Sequence, residues 1–316
     1  MRYLNTASTL ALVGFLAACA VQRNPYAATN KSYRTQVKAY AAALRAVPPP
    51  TPGGDSLLGN YWVGTTNFNL RKPNYVVIHH TAQESTSQTL KTFTMPSTQV
   101  SAHYVIGRDG QVFHMLNDYL RAWHGGVARW GNTTDINSSS IGIELDNNGT
   151  EPFAQPQIAS LLKVLAGLKK TYGIPSANFI GHADIAPGRK NDPSAFFPWK
   201  QLAANGFGLW YDAGPLPSPY GPNPPLPADS AAAASAASPF PAIIPDTTRL
   251  DIQLARLNAT LPVFNSREAL RIIGYDTRDL PAATRAFKLH FVQQNVNAPL
   301  TDADNRILFN LYQKYL

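Results

Sequence analysis

One loop, residues 181–193, constrains this chain more than any other stretch, and it reads Gly-His-Ala-Asp-Ile-Ala-Pro-Gly-Arg-Lys-Asn-Asp-Pro. It holds an imidazole, an ammonium and a carboxylate, from His182, Lys190 and Asp192, and two prolines stiffen it. Packing of a hydrophobic core does not require so many reactive groups in one loop. Catalytic zinc takes three protein ligands, usually histidine and carboxylate, and keeps a fourth position for water. We therefore expect His182 and Asp192 to bind a metal ion together with a third residue from elsewhere in the chain.

The third ligand is expected at the end of a predicted strand. Residues 75–80 (Tyr-Val-Val-Ile-His-His) form a β-rich run that reads as a buried strand with histidine at its C-terminal end. Side chains at strand ends rest on a fixed backbone, which suits a metal ligand, and His79 is therefore the expected third ligand. Spacing leaves the adjacent His80 open as an alternative, as it does a histidine that only caps the strand.

A second predicted strand, residues 140–145, carries a carboxylate beside a glycine. Its isoleucines and leucine alternate with Gly142 and Glu144, so Glu144 faces the side opposite the apolar residues. A half-buried glutamate is uncommon without a function, and the glycine leaves space for another group to approach. The alternative is an edge strand whose polar face points to solvent.

The remaining periodicities predict an α/β fold, a mixed central β-sheet flanked by helices. Apolar residues recur at helical spacing from Ile158 to Tyr172, and Gly173 and Pro175 end this helix. Shorter segments predict a helix around residues 90–93, a hairpin from strands at 102–106 and 111–115, and a strand at 178–180. The last of these again places a histidine, His182, at a strand end.

The chain beyond residue 211 differs in composition from the preceding part. Residues 212–245 are rich in proline, alanine and serine, which predicts a linker. Three short helices are predicted after it, beginning near Ser266, Leu280 and Thr301, and they predict a small all-α three-helix C-terminal domain over residues 246–316. His290 within it is expected to be structural.

The N-terminal residues predict export and lipidation. Arg2 precedes an apolar stretch over residues 10–18, which has the length of a signal-peptide core and is too short for a mature membrane span. Residues 16–19 (Leu-Ala-Ala-Cys) resemble a bacterial lipobox, which predicts removal of residues 1–18 and lipidation of Cys19, the only cysteine. An ordinary signal peptide with a chance cysteine is the alternative. Residues 19–59 are expected to form an extended tether, and Ala20 fits sorting to the periplasmic face of the outer membrane.

The charge of the chain restricts its partners only loosely. A formal charge of +8 and a pI near 9.5 suggest an acidic partner, such as nucleic acid, anionic lipid or a cell-wall polymer. The chain has no basic run interleaved with aromatic residues, so nucleic acid is not expected.

Five motifs in a fixed order resemble one protein family. They are residues 78–81 (Ile-His-His-Thr), 101–104 (Ser-Ala-His-Tyr), 122–125 (Ala-Trp-His-Gly), 140–145 and 181–193. Together they resemble the zinc N-acetylmuramoyl-L-alanine amidases, which are related to phage lysozyme-amidases and peptidoglycan-recognition proteins. The likeness extends from about residue 60 to the C-terminus, and with the lipobox it is greatest to lipoprotein members of the family.

The resemblance implies roles for particular residues. It implies one Zn²⁺ held by His79, His182 and Asp192, with Glu144 as catalytic carboxylate and Lys190 as catalytic cation. Further candidates are Tyr104 and His124 as substrate contacts, although His124 could instead support a ligand or be structural.

The resemblance also implies an activity and partners. The implied reaction is hydrolysis of the amide between the lactyl group of N-acetylmuramic acid and L-alanine of the stem peptide. Residues 60–211 would form the catalytic domain, and residues 246–316 resemble a peptidoglycan-binding domain or a stabilising helical appendage. Peptidoglycan and muropeptides are the expected partners of a monomeric protein that a lipid at Cys19 anchors to the membrane.

Two other functions remain open from the sequence. A peptidoglycan sensor would bind muropeptides without cutting them, but such proteins have lost a zinc ligand, whereas His79, His182 and Asp192 are all present. A zinc endopeptidase acting within the stem peptide would share the metal chemistry. Neither a His-Glu-x-x-His nor a Gly-x-Ser-x-Gly motif supports another kind of hydrolase.

Overall fold

The computed structural model of the chain describes residues 24–45, 65–67, 69–220 and 264–316. The predicted signal peptide, Cys19 and linker residues 221–245 lie outside the described residues. The chain divides into two compact units, residues 1–68 and residues 69–316.

The first unit contains helix α1, Ala27–Arg45, which has no buried residue. The expectation of an extended tether is therefore wrong for these residues. Neither proline nor glycine interrupts the segment, and it is rich in alanine, lysine and arginine, which favour helix. Within the described ranges, no helix combines the length and hydrophobicity that a membrane span would need.

The second unit is built on a five-stranded sheet. Its strands are β1 (Tyr75–His80), β2 (Tyr104–Ile106), β3 (Val112–His114), β4 (Ser140–Leu145) and β5 (Phe179–Gly181). They lie in the order β3-β2-β4-β1-β5, in which only β3 runs antiparallel to its neighbour. The sheet and its flanking helices confirm the predicted fold class. Because β4 is the central strand, the edge-strand alternative for residues 140–145 is wrong.

The described residues of the second unit form eight α-helices. They are α2 (Thr86–Thr94), α3 (Ile136–Ser139), α4 (Gln155–Tyr172), α5 (His182–Ile185), α6 (Trp199–Ala204), α7 (Ser266–Ile273), α8 (Leu280–Phe287) and α9 (Asp302–Tyr315). Gly173 ends α4 at φ 66°, a left-handed conformation that favours glycine. Thr301 and Asp304 form a capping box at the start of α9. A π-helical turn, Lys288–Val292, continues α8.

The two faces of the sheet pack into two different cores. On one face, alternate residues such as Ile78 and Ile143 join a core with Leu161 and Leu165 of α4. On the other face, the core of Val77 and Ile180 includes apolar residues of the C-terminal helices, among them Leu270, Phe287 and Leu308. The predicted C-terminal helices are present, but they share a core with the sheet.

Candidate metal centre

The sheet topology gathers the predicted site residues at one edge. β1 and β4 are parallel neighbours in which His79 pairs with Glu144, near the C-terminal end of each strand. β5 lies on the other side of β1, and His182 follows it directly. Because parallel strands end at the same edge, three neighbouring strands deliver three polar side chains to one place, where ligands commonly bind in α/β sheets.

The ligand atoms of the three predicted metal-binding residues lie close to one another. Nδ1 of His79 lies 2.9 Å from Nδ1 of His182, and each nitrogen lies 3.1 Å from Oδ2 of Asp192. All three residues are buried. The loop that carries Asp192 is tied back to α5, since the Ala183 amide donates to the Asp192 carbonyl at 2.7 Å.

A chain of hydrogen bonds fixes which nitrogen of His79 carries its proton. The Ser140 hydroxyl donates to the carbonyl of Ile136 at 2.6 Å, so its oxygen must accept from Nε2 of His124 at 3.1 Å. Nδ1 of His124 is then an acceptor, and it receives the Nε2 proton of His79 at 3.0 Å. Burial, together with the nearby His182, lowers the pKa of His79 to about 4, so the ring is neutral near pH 7. Nδ1 of His79 therefore presents a lone pair.

His182 presents a lone pair in the same way. Its Nε2 donates to the carbonyl of Gly125 at 3.2 Å, and in the tautomer that makes this bond Nδ1 carries a lone pair. Two lone pairs and a carboxylate oxygen then face one another in a buried space. Such groups repel unless a cation lies among them. The donor set of two imidazoles and one carboxylate therefore fits a zinc ion.

Two other sequence candidates lie on the opposite face of the sheet from His79. His80 points there because side chains alternate along a strand, and its Nδ1 accepts from the Ser194 amide at 3.1 Å. Tyr104 pairs with Ile143 rather than with Glu144, packs against the core on the α4 side and donates to Asp118 at 3.0 Å. The structure thus does not bring Tyr104 to the metal ligands, and its contact with substrate stays a prediction.

Glu144 is buried beside the ligands, with Oε1 3.9 Å from Nδ1 of His79. Burial raises the pKa of Glu144 to about 8, and the charge of Asp192 contributes in the same direction. The positive charge of Lys190 opposes this shift. Lys190 is partly exposed, on the loop between His182 and Asp192. The site thus combines a carboxylate able to hold a proton with a nearby cation.

No local sequence pattern indicates that Asn137 and Arg189 help to shape this site. The side-chain oxygen of Asn137 accepts from the amides of His124 and Gly125, at 3.2 and 2.8 Å. Arg189 donates to the carbonyl of Gly125 at 2.7 Å. His124 itself is buried between His79 and Ser140, so its position favours support of a ligand over a substrate contact. These bonds join the loop of residues 124 and 125 to other elements of the fold, and no periodicity indicates which side chains meet across such contacts.

Comparison with known proteins gives one consistent family. Residues 69–195 match the family described as N-acetylmuramoyl-L-alanine amidase. The N-acetylmuramoyl-L-alanine amidase AmiD of Escherichia coli K12 is 36% identical over 154 residues, which are 44% of this chain and 55% of AmiD. The 1,6-anhydro-N-acetylmuramyl-L-alanine amidase AmpD of the same strain is 40% identical over 104 residues, 33% of this chain and 57% of AmpD. The chain thus spans a little over half the length of these curated relatives.

Solved structures extend the likeness over most of the fold. The E. coli AmiD structure, a complex with anhydro-N-acetylmuramic acid-L-Ala-D-gamma-Glu-L-Lys, has a TM-score of 0.57 and 27% identity, covering 80% of this chain and 93% of AmiD. AmpDh3 of Pseudomonas aeruginosa has a TM-score of 0.58 and 27% identity, covering 81% of this chain and 97% of AmpDh3. Family match, sequence relatives and structural neighbours all agree. Residues 69–195 thus match the N-acetylmuramoyl-L-alanine amidase family, and the fold that contains them is similar to those of AmiD and AmpDh3.

Proposed function

We propose that this protein is a zinc-dependent N-acetylmuramoyl-L-alanine amidase of the cell wall. It hydrolyses the amide between the lactyl group of N-acetylmuramic acid and L-alanine of the stem peptide. The observation that carries the proposal is the meeting of two histidine lone pairs with the Asp192 carboxylate, beside the buried Glu144. The named substrate in the AmiD complex, and the anhydromuramic pentapeptide bound to AmpDh3, support this class of substrate.

In this proposal His79, His182 and Asp192 hold the zinc ion. When bound, zinc polarises the scissile carbonyl and lowers the pKa of a bound water from 15.7 to about 7. The hydrogen bonds from His79 to His124 and from His182 to Gly125 keep both Nδ1 atoms free of protons and aimed at the ion. The burial of all three ligands keeps bulk water from competing for them.

Glu144 is the proposed general base and acid. Its carboxylate takes a proton from the attacking water and returns it to the nitrogen of L-alanine as the amide bond breaks. The products are a free lactyl carboxylate and a free amine on L-alanine. Lys190 is proposed to stabilise the oxyanion that develops on the carbonyl, an interaction whose loss typically costs about 10²–10³ in rate.

The test is to digest purified peptidoglycan with the zinc-loaded full chain and to identify the new amino groups. The expected result is new amino groups on L-alanine. Their amount should equal the amount of muramic acid that has lost its stem peptide. New amines at any other stem-peptide residue would instead indicate an endopeptidase. Intact glycan that sediments with the protein would indicate a binding protein without hydrolytic activity. Omission of zinc from chelator-treated protein serves as the control.

We also propose that the protein is anchored by lipid at Cys19 to the periplasmic face of the outer membrane and acts there as a monomer. The support is the lipobox-like sequence of residues 16–19 and the alanine that follows the cysteine. Replacement Cys19→Ser should move the protein from the membrane fraction to the soluble fraction. A Cys19→Ser protein that stays with the membrane would contradict the anchor.

A further inference from the structure

The C-terminal helices reach the backbone that carries His182. Asp184 lies two residues beyond His182 in α5 and is only 1% exposed. Its carboxylate accepts from the Gly181 amide at 2.7 Å, from the Tyr275 hydroxyl at 2.8 Å and from Nδ1 of His290 at 2.7 Å. Two of these three donors therefore belong to the C-terminal segment, residues 264–316.

The Asp184 carboxylate closes the turn that presents His182. Helix α5 is a single turn whose first residue is His182, and Gly181 precedes it as the cap. Glycine has no side chain that could cap the turn, so the bond from the Gly181 amide to Asp184 fixes the turn instead. A Cβ at Gly181 would lie 2.9 Å from Pro193 and 3.3 Å from Asp184, so glycine is needed for this close packing. The direction of His182 thus depends on where Asp184 is held.

Packing leaves His290 little freedom to move away from Asp184. Its ring is stacked 3.8 Å from the Trp199 ring and 4.0 Å from the Phe291 ring, measured between centroids, and it is 5% exposed. Tyr275 is 2% exposed and meets the ring of Trp130 edge-on at 5.0 Å. A buried carboxylate that loses a hydrogen-bond donor is strongly destabilised. Removal of the donor of either His290 or Tyr275 should therefore destabilise the present position of Asp184.

A second contact joins the C-terminal segment to the same loop. Arg285 of α8 donates to the carbonyl of Pro187 at 2.8 Å, on the stretch between His182 and Asp192. The C-terminal segment therefore holds the metal-binding loop both at its first turn and at its middle.

We propose that His290 and Tyr275 are positioning residues of the metal centre. They hold Asp184, which in turn holds His182 in the direction that zinc requires. The C-terminal helices are then part of the catalytic unit, whether or not they also bind glycan. This inference rests on the proposed zinc amidase function. Removal of a group that hydrogen-bonds directly to a metal ligand typically lowers metal affinity by about 10- to 100-fold. The loss should be smaller here, because Asp184 lies between these two residues and the backbone of His182.

The test compares zinc dissociation constants of full-length variants by chelator competition. His290→Leu places an apolar side chain of similar bulk at this position and removes the donor, and it should weaken zinc binding several-fold, up to about 10-fold. His290→Asn restores an N–H near the position of Nδ1 and should recover part of the affinity. Tyr275→Phe removes only a hydroxyl and should cause a smaller loss in the same direction. The absorption bands of the Co²⁺-substituted His290→Leu protein should also shift, because the ligand geometry changes.

A control in the same segment separates positioning from general stability. Lys288 forms a buried ion pair with Asp304 at 3.1 Å, and among the described residues neither makes a hydrogen bond or ion pair with Asp184. Lys288→Met should lower the midpoint temperature of thermal unfolding and leave the zinc dissociation constant unchanged. Equal zinc affinity in wild type, His290→Leu and Tyr275→Phe would overturn the inference, as would an equal loss of affinity in Lys288→Met. Wild-type protein that binds zinc but releases no amine would overturn only the proposed function.

Discussion

His79 and Glu144 are paired in register on adjacent parallel strands, which places Oε1 of Glu144 3.9 Å from Nδ1 of His79. The pairing places the proposed metal ligand His79 next to the proposed base Glu144, and both side chains project from strands and not from loops. Because both rest on central strands of the sheet, their separation is fixed by the backbone.

Replacement of Glu144 should separate catalysis from metal binding. Glu144→Gln keeps the size of the side chain but removes the base, and the rate should fall about 10²- to 10⁴-fold. Zinc content, measured by atomic absorption on the purified variant, should equal that of wild type. Loss of zinc from Glu144→Gln would show that Glu144 is a ligand and that its proposed role is wrong.

Replacement of Asp192 should remove zinc and activity together. Asp192→Ala leaves two neutral imidazoles, and a catalytic zinc site normally has three protein ligands. A matched control is Asp212→Asn, because Asp212 is exposed and bonds to Asn310 and Lys314 of α9. Dialysis against a weak chelator, followed by a zinc assay, should leave only the control variant loaded. Full zinc retention by Asp192→Ala would contradict the assigned ligand set.

The hydrogen-bond chain behind His79 predicts an effect of His124. His124→Phe keeps a ring but no longer accepts the Nε2 proton of His79, so the ring of His79 loses its fixed orientation. The zinc dissociation constant should rise about 10- to 100-fold. Ser140→Ala, one bond further from the metal, should show a smaller rise in the same chelator-competition assay. A larger effect from Ser140→Ala than from His124→Phe would contradict the proposed direction of the chain.

Substitution of Gly142 should destabilise the protein because the His124 ring lies against this glycine. A Cβ added at Gly142 would lie 2.4 Å from the ring of His124, so the ring must shift. Gly142→Ala should lower the free energy of unfolding by about 1–3 kcal/mol, as overpacked cores do, and should also weaken zinc binding. Gly167 in α4 has no atom within 4 Å of such a Cβ, and Gly167→Ala should be neutral or stabilising by up to about 1 kcal/mol. Urea titration of both variants measures the difference.

The convergence of these site residues could be predicted because it depends on strand ends. Periodicity placed His79, Glu144 and His182 near the ends of three strands, and parallel neighbours bring such ends to one edge. The alternation of residues 140–145 likewise placed Glu144 on the face opposite the isoleucines.

The differences and omissions have physical causes. Tyr104 lies on the other face because strand β2 pairs Val105, not Tyr104, with Glu144, and this register depends on tertiary contacts. Asp184 and His290 are 106 residues apart, so no local pattern could connect them. Helix α1 ends just before the proline-rich residues 48–52, whose composition predicts an extended chain for the whole region.

The two-sided sheet also limits how the C-terminal helices can be studied. Val77 and Ile180 belong to a core completed by α7, α8 and α9, so a protein truncated after residue 211 would lose one wall of that core. Such a fragment would expose apolar surface and leave Asp184 without two of its donors. Loss of activity on truncation would therefore say nothing about glycan binding by the C-terminal helices. Only point substitutions on an intact chain can measure how much these helices contribute to glycan binding.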